Sequence, residues 1–337
     1  MKTNNTLSTQ ALPLPPAWFV VGFGLALGLG LAAYWVSTLH DSLEALAVAL
    51  LLGVAVRSLL GDQPRLRLGV KRAVQIFVPL GIILYGVRLD IPRLGSLAVP
   101  VILRTLLNMA LFYLVVFGLA HWWKVRHATR TLLASGSAVC GASAIVVLAP
   151  AVEAESEDTS VSLIIVTAIG LLGAMLYPVL RVWLGWSDSF YAVLAGSTLH
   201  QTATVKLAVA GLSKDVVSYA LTVKMVRVVM LIPIALLMAW FNRRRSGSWR
   251  KALGQIWFVF VFAVVGLLVS FTPLRGYQSV LQPWSTLALT LAMASIGLTV
   301  NLEAVINAGL RPLFIGLIAW LVVVALFVIS IQVFPLG

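Results

Sequence analysis

The sequence predicts an all-α, polytopic membrane protein of about eleven transmembrane helices, and three observations predict it. Of 337 residues, 61% are hydrophobic and 10% charged, with a mean hydropathy of +1.02. No water-soluble core hides that much apolar surface. The apolar residues come in blocks of about 18 to 25, the length at which a helix crosses a hydrocarbon layer of roughly 30 Å. The charged residues collect mainly in the short connections between blocks.

In order, the blocks fall at 17–36, 43–60, 72–88, 98–120, 131–150, 160–180, 190–211, 215–240, 252–271, 283–300 and 311–334. The first follows Lys2 and ends near Gly30, Ala32 and Ala33, a pattern that also suits a signal peptide. A single lysine is a weak charged region, however, and the block exceeds the usual apolar core of about 7 to 15 residues, so a retained helix is expected. Residues 1–16 then form a cytoplasmic tail, and 17–337 a single transmembrane domain. Pro79, Pro178 and Pro233 lie inside blocks, where neighbouring helices can satisfy the freed backbone groups.

The net charge of +13 raises the question of nucleic acid. The positions of the bases answer it. Arg57, Arg65, Arg67, Lys71 and Arg72 share one connection, Lys124, Arg126 and Arg130 a second, and Arg243, Arg244, Arg245, Arg250 and Lys251 a third. In an eleven-span topology all three fall on one side. The intervening connections hold Asp41, Glu44, Glu153, Glu155, Glu157, Asp158 and Asp215. By the positive-inside rule the amino terminus is cytoplasmic and the carboxyl terminus external. No connection is long enough for a folded basic domain, so no nucleic-acid partner is expected. The one cysteine, Cys140, excludes an intrachain disulfide and reads first as a small apolar filler.

Leu84-Tyr85-Gly86-Val87-Arg88-Leu89-Asp90 resembles Ser295-Ile296-Gly297-Leu298-Thr299-Val300-Asn301, and each precedes a further apolar block. The third block runs outward and the tenth inward, so the two copies are antiparallel. Inverted repeats of this kind are found in secondary transporters, whose sites lie near the midplane.

Ionisable groups inside a bilayer cost several kcal/mol and are read as functional by default. Here they are Arg104, His200, Lys206, Lys224 and Arg227, all basic or potentially so. Without a buried carboxylate a cation site is not expected, and an anion is. Lys224 and Arg227 are three residues apart on one helical face, near the midplane by the 1.5 Å rise. They are read as neutralising a divalent oxyanion. The plainer alternative, in which each snorkels or pairs with helix-end carbonyls, is set lower because of their depth.

Two blocks are dense in small and hydroxyl residues. The fifth contains Ser135-Gly136-Ser137-Ala138-Val139-Cys140-Gly141-Ala142-Ser143-Ala144 and the seventh Gly196-Ser197-Thr198-Leu199-His200-Gln201-Thr202-Ala203-Thr204. Interrupted helices expose half-helix amides that suit an anion, with hydroxyls as further donors. Close helix packing through small residues is the competing reading of each alone. The candidate substrate-binding set is Ser137, Cys140, Gly141, Ala142, Ser143, Ser197, Thr198, His200, Gln201, Thr202, Lys224 and Arg227. A lone histidine such as His200 is more often structural than a proton carrier, although its type titrates near neutral pH. No second histidine or cysteine stands at ligand spacing, so neither metal nor cofactor is expected.

The run Ser137 to Ile145, the Gly86-Val87-Arg88-Leu89 segment, His200 and Lys224-Met225-Val226-Arg227 together resemble the YeiH-type family of bacterial inner-membrane proteins, to which sulfate export is ascribed. The order and spacing match over nearly the whole chain. The resemblance implies a distant relation to the bile-acid and sodium symporter superfamily, with inverted repeats, a panel domain, and a core domain whose two crossing helices are broken. Carried over, it points to Cys140, Gly141, Ala142 and Ser143 in one broken helix, His200 in the other, and Lys224 with Arg227 as the basic pair that follows. The family's usual His-Asp-Val-Ala-Gln reads His200-Gln201-Thr202-Ala203-Thr204 here, without the acid that proton or sodium coupling at this position would use.

The expected function is secondary transport, as an exporter, of a small inorganic or sulfonate-type anion such as sulfate, by alternating access in a bacterial inner membrane. An anion channel shares the basic midplane and is the alternative. An intramembrane enzyme using Cys140 as nucleophile and His200 as base is the weakest reading, since it lacks carboxylates and metal ligands. The partners expected are the anion and membrane lipid, with room for a homo-oligomer.

Overall fold

The computed structural model describes residues 16–39, 45–61, 63–246, 254, 257–300 and 310–333. Lys2 and the tail through 15, Asp41, Glu44, Arg250, Lys251 and Asn301 lie outside the described residues. Among the described residues no strand occurs. The helices are α1 (Pro16–Leu39), α2 (Ala45–Leu60), α3 (Arg67–Tyr85), α4 (Ile91–Gly95), α5 (Val99–Trp122), α6 (His127–Ala138), α7 (Ala142–Leu148) and α8 (Ser156–Leu184). They continue with α9 (Asp188–Thr198), α10 (Thr202–Ala208), α11 (Lys214–Val229), α12 (Leu231–Ser246), α13 (Trp257–Phe271), α14 (Gln278–Gly297) and α15 (Arg311–Val333).

Each apolar block coincides with a helix or a pair of them. Seven helical stretches, α1, α3, α5, α8, the joined α11–α12, α14 and α15, are long and apolar enough to cross a membrane, while α2 and α13 are shorter apolar helices. The chain is thus an all-helical protein built of membrane-type segments. The helices pack in two groups, α1, α2, α3 and α14 with α13 in one, and α5 through α11 with α15 in the other. In the first group α2 meets α14 through a glycine pair, since a Cβ on Gly53 would lie 2.8 Å from the Gly297 Cα. Helix α3 packs antiparallel to α14: Arg88 bonds Thr286, Gly81 abuts Leu289, and Val70 and Ala73 cluster with Leu298. The two similar segments therefore sit at opposite ends of this pair.

The second group departs from the sequence reading. The fifth block does not run on from one side to the other but turns back at 139–141. Arg126, just before α6, pairs with Glu155 at 3.1 Å, Glu157 at 3.9 Å and Asp158 at 3.6 Å, all at the start of α8. Thr129 donates to Asp158 at 2.5 Å and its carbonyl accepts from Ser162, while Gly136 lies against Val166. Helices α6 and α8 are therefore parallel neighbours that start at the same end, which requires the chain to return between them. Gly136 also faces Ile145 across the turn. The turn closes at Gly141, whose φ of +72° suits glycine and whose amide bonds the Gly136 carbonyl at 2.9 Å.

The seventh block does the same from the other end. Arg181, in the last turn of α8, pairs with Asp188 at the start of α9. The Tyr191 hydroxyl donates to the Ala208 carbonyl at 2.7 Å, so α10 returns to where α9 began. Two helical hairpins thus enter from opposite ends of α8, where crossing helices had been expected. A physical reason is local. Glu155 and Asp158 close a capping box that starts α8 beside Arg126, and Ser187 and Ser213 cap α9 and α11 at the far end. Glu153, Glu155, Glu157 and Asp158 accordingly lie at the basic end with Arg126, where the charge alternation had placed them opposite.

At 1.5 Å per residue, α6 and α9 are each about 17 Å long, roughly half of a 30 Å hydrocarbon layer, while α8 at about 43 Å passes both hairpins. Helix α15 runs alongside α8, with Gly316 against Ile165 and Trp320 stacked on Tyr177 at 5.8 Å between centroids.

Candidate functional site

The two hairpin tips meet. Tip one is Val139-Cys140-Gly141 and tip two Leu199-His200-Gln201, and a Cβ on Gly141 would lie 2.5 Å from the Gln201 Cγ and 3.2 Å from the His200 carbonyl oxygen. Ending α6 and α9 in the interior leaves carbonyls at each C-terminus without helical partners. Helix α11 supplies those partners. The Lys224 Nζ donates to the carbonyls of Val139 at 3.2 Å, Leu199 at 2.7 Å and His200 at 2.7 Å. Arg227 donates through Nε to Ala138 at 2.8 Å, through Nη1 to Ser197 at 2.7 Å and Leu199 at 2.9 Å, and through Nη2 to Ser137.

Both side chains are fully buried, and among the described residues neither is bonded to a carboxylate. The three acceptors around Lys224 match the three donors of an ammonium group. Two helix C-termini contribute about half a negative charge each, so the clamp balances part of its own charge with backbone dipoles. Where the sequence reading has this pair neutralise an anion, the structure directs seven of its eight N–H donors to carbonyls of the tips. Arg227 also lies over Phe112, 5.6 Å from the ring centroid, and Phe112 meets the His200 ring edge-on at 5.7 Å.

Ser137 Oγ and both His200 ring nitrogens are buried without hydrogen-bond partners among the described residues. The Ser197 carbonyl accepts from Asn108 at 2.7 Å as well as from Arg227, and its hydroxyl shares a bond with Thr105 at 2.9 Å. The Thr198 hydroxyl pairs with Tyr177 at 2.6 Å. These residues build the tips.

Beside the tips, on the face turned to the first group, lies a cavity of about 260 Å³. Of the candidate residues, Cys140, Ala142, Ser143, Gln201 and Thr202 line it. Ser137, Gly141, Ser197, Thr198, His200, Lys224 and Arg227 are not in its lining. The Ser143 hydroxyl donates to the Cys140 Sγ at 2.8 Å, and the Gln201 amide to Thr167 at 3.0 Å. The opposite wall holds residues that site reasoning had passed over, namely Tyr85, Arg88 and Thr286, while Lys206, already singled out as an ionisable group inside a block, lines the cavity from α10.

Arg88 reaches Thr286 Oγ1 through Nη2 at 2.5 Å and lies 5.2 Å from the Tyr85 ring centroid, while its buried Nε has no partner among the described residues. The Tyr85 and Thr202 hydroxyls are 2.5 Å apart and join the two helix groups. Among the described residues no carboxylate lines the cavity, and its two charged groups, a guanidinium and an ammonium, are donors beside an amide and several hydroxyls that donate or accept. The signal that pointed here was the repeated segment Leu84 to Asp90, which carries both Tyr85 and Arg88. Among the described residues no group of three His, Cys, Asp or Glu is placed to hold a metal.

Known proteins resemble this chain over nearly its full length. A UPF0324 membrane protein of Archaeoglobus fulgidus is 34% identical over 305 residues, covering 89% of both chains. One of Bacillus cereus is 32% identical over 311 residues, covering 89% of this chain and 90% of the relative. The UPF0324 inner membrane protein YeiH of Escherichia coli strain K12 is 31% identical over 345 residues, covering 95% of this chain and 96% of the relative. No solved structure matches. The family described as conserved hypothetical protein 698 matches residues 21–316, a stretch containing both hairpins and every residue of the cavity between the helix groups. With that span covered, and with relatives that are membrane proteins, the chain belongs to the conserved hypothetical protein 698 family, the UPF0324 membrane proteins that include YeiH.

Proposed function

We propose that the protein is a secondary transporter, working as an exporter, of a small oxyanion such as sulfate or a small sulfonate. The observation that carries this reading is the cavity at the hairpin tips, which Arg88 and Lys206 line together with Ser143, Gln201, Thr202 and Thr286, and with no carboxylate among the described residues. A desolvated anion needs that kind of environment, with charge-assisted donors and no competing carboxylate. Binding groups come from both helix groups, so relative movement of the groups changes which side reaches them, the usual basis of alternating access.

The topology that supports this has nine crossings, by α1, α2, α3, α5, α8, α11–α12, α13, α14 and α15, together with two re-entrant hairpins. Removing two crossings from eleven keeps the parity, so the amino terminus stays cytoplasmic and the carboxyl terminus periplasmic under the positive-inside rule. The oppositely entering hairpins and the antiparallel α3 and α14 suit an inverted-repeat fold. Irregular backbone at the tips is tolerable because it is buried in protein beside a cavity. The reading assigns no chemical step to Cys140 or His200, and no metal or cofactor.

The test is flux through purified protein in liposomes, with sulfate, sulfite and a small sulfonate supplied in turn under proton, sodium and membrane-potential gradients. Saturable uptake of at least one of them is expected. No movement of any of the three under any gradient would remove the transport reading.

A further inference from the structure

The cavity at the hairpin tips is larger and more apolar than a bare oxyanion requires. A tetrahedral oxyanion of five heavy atoms takes about the room of three waters, roughly 90 Å³ at about 30 Å³ each. The cavity has about 260 Å³, so such an ion leaves more than half of it empty. Half of the residues that line it are apolar, and the four leucines among them, Leu46, Leu207, Leu221 and Leu289, come from α2, α10, α11 and α14. Sites of this make, an apolar wall with a few placed polar groups, suit ligands that have both parts.

Several of the polar groups gather at one corner. Arg88 donates to Thr286 and lies over the Tyr85 ring, and the Tyr85 hydroxyl meets that of Thr202. The buried Arg88 Nε has no partner among the described residues, and a guanidinium presents its donors as a planar fork that fits an oxyanion. Leu289 stands one turn along α14 from Thr286, and Gly81, on which Leu289 packs, one turn along α3 from Tyr85. The lining thus passes from a charged corner to an apolar wall within about 5.4 Å, one helical turn. Arg88 is half-buried while Lys206 is exposed, so Lys206 adds to the field without supplying a second buried contact.

We propose that this cavity takes an organic monoanion, an alkanesulfonate of about two to five carbons (a methylene being close to a water in volume), with its head on Arg88 and its tail against the four leucines. The inference rests on the transport reading of the same site and names the substrate class within it. Inorganic sulfate fills the head position alone and is held more weakly, because it gains nothing from the leucines and brings a second charge out of water. Each methylene that moves from water into the apolar part strengthens binding about fourfold.

The experiment measures dissociation constants of methane-, ethane-, propane-, butane- and octanesulfonate, and of inorganic sulfate, by titration calorimetry on the full chain in phosphatidylcholine nanodiscs, with empty nanodiscs as the blank. Affinity is expected to rise about fourfold per carbon as far as butanesulfonate and no further at octanesulfonate, with sulfate at least tenfold weaker than butanesulfonate. Leu46→Ser and Leu207→Ser should each lower the gain per carbon, and Arg88→Gln should weaken every member of the series at least tenfold. A flat series, sulfate bound more tightly than every sulfonate, or no binding of any member overturns the inference. A rise that continues unbroken to octanesulfonate also overturns it, since the tail then lies in the bilayer and not in a bounded cavity. The series on the wild type needs no variant, so a misfolded variant leaves the test standing. Sulfate flux in liposomes together with a flat series would sink this inference and spare the transport reading, whereas a rising series with no flux of any sulfonate or sulfate would sink the transport reading alone.

Discussion

Lys224 and Arg227 hold together two chain reversals that would otherwise leave carbonyls bare in a low-dielectric interior. Lys224→Met keeps the bulk of the side chain but removes all three of its hydrogen bonds. Each buried carbonyl left unpaired costs about 1 to 3 kcal/mol, so a clear fall in melting temperature is expected for the detergent-purified protein. A wild-type melting temperature with loss only of anion binding would contradict this role and return the pair to the substrate. Gly141→Ala is the companion test. Its φ of +72° and the 2.5 Å approach to Gln201 Cγ leave no room for a Cβ, so lower stability is expected in the same assay, and a neutral result would mean the tips do not touch. The depth of Lys224 and Arg227 was legible in the sequence from position within a block. Their partners were not, because the acceptors lie 24 to 90 residues away along the chain.

At the scale of elements, the informative feature is that about twenty apolar residues look alike whether they cross a membrane or enter it and return. Block length placed every helix except the five-residue α4, yet it counted the fifth and seventh blocks as crossings and left their re-entry open. The runs around Cys140 and His200 marked where the backbone turns, since small residues permit the close approach at Gly136, Gly141 and Gly196. What decides the direction after the turn is non-local: Arg126 with Glu155 and Asp158 at one end, Tyr191 with Ala208 at the other. The acids at 153–158 were the available clue, because a capping box beginning at Glu155 belongs where α8 starts. A labelling experiment follows. In a Cys140→Ala background, Glu153→Cys should react with a membrane-impermeant maleimide from the same side as Lys124→Cys, and Ser187→Cys from the opposite side. Labelling of Glu153→Cys and Lys124→Cys from opposite sides would restore the crossing arrangement.

For the whole molecule, the proposed transport places function at a boundary between two helix groups rather than in any single span. The hydroxyl pair of Tyr85 and Thr202 brings α3 and α10 to one place from 117 residues apart, and Arg88 and Lys206 line the same cavity. Composition made the membrane class legible, and the basic character of the interior charges is what the proposal of an anion starts from. The place of Arg88 in the cavity was not legible, because α3 ends at Tyr85 and Arg88 lies in the one-turn helix that follows, where charge is ordinary. Folding puts that turn against Thr286 and the hairpin tips. The most direct measurement is sulfate counterflow, in which liposomes loaded with unlabelled sulfate exchange it for external radiolabelled sulfate. The account predicts trans-stimulated, saturable exchange, weakened at least tenfold by Arg88→Gln, about the loss expected when one charge-assisted bond worth roughly 1.5 kcal/mol is removed. Flux without trans-stimulation, or exchange indifferent to Arg88→Gln and Lys206→Gln together, would contradict it.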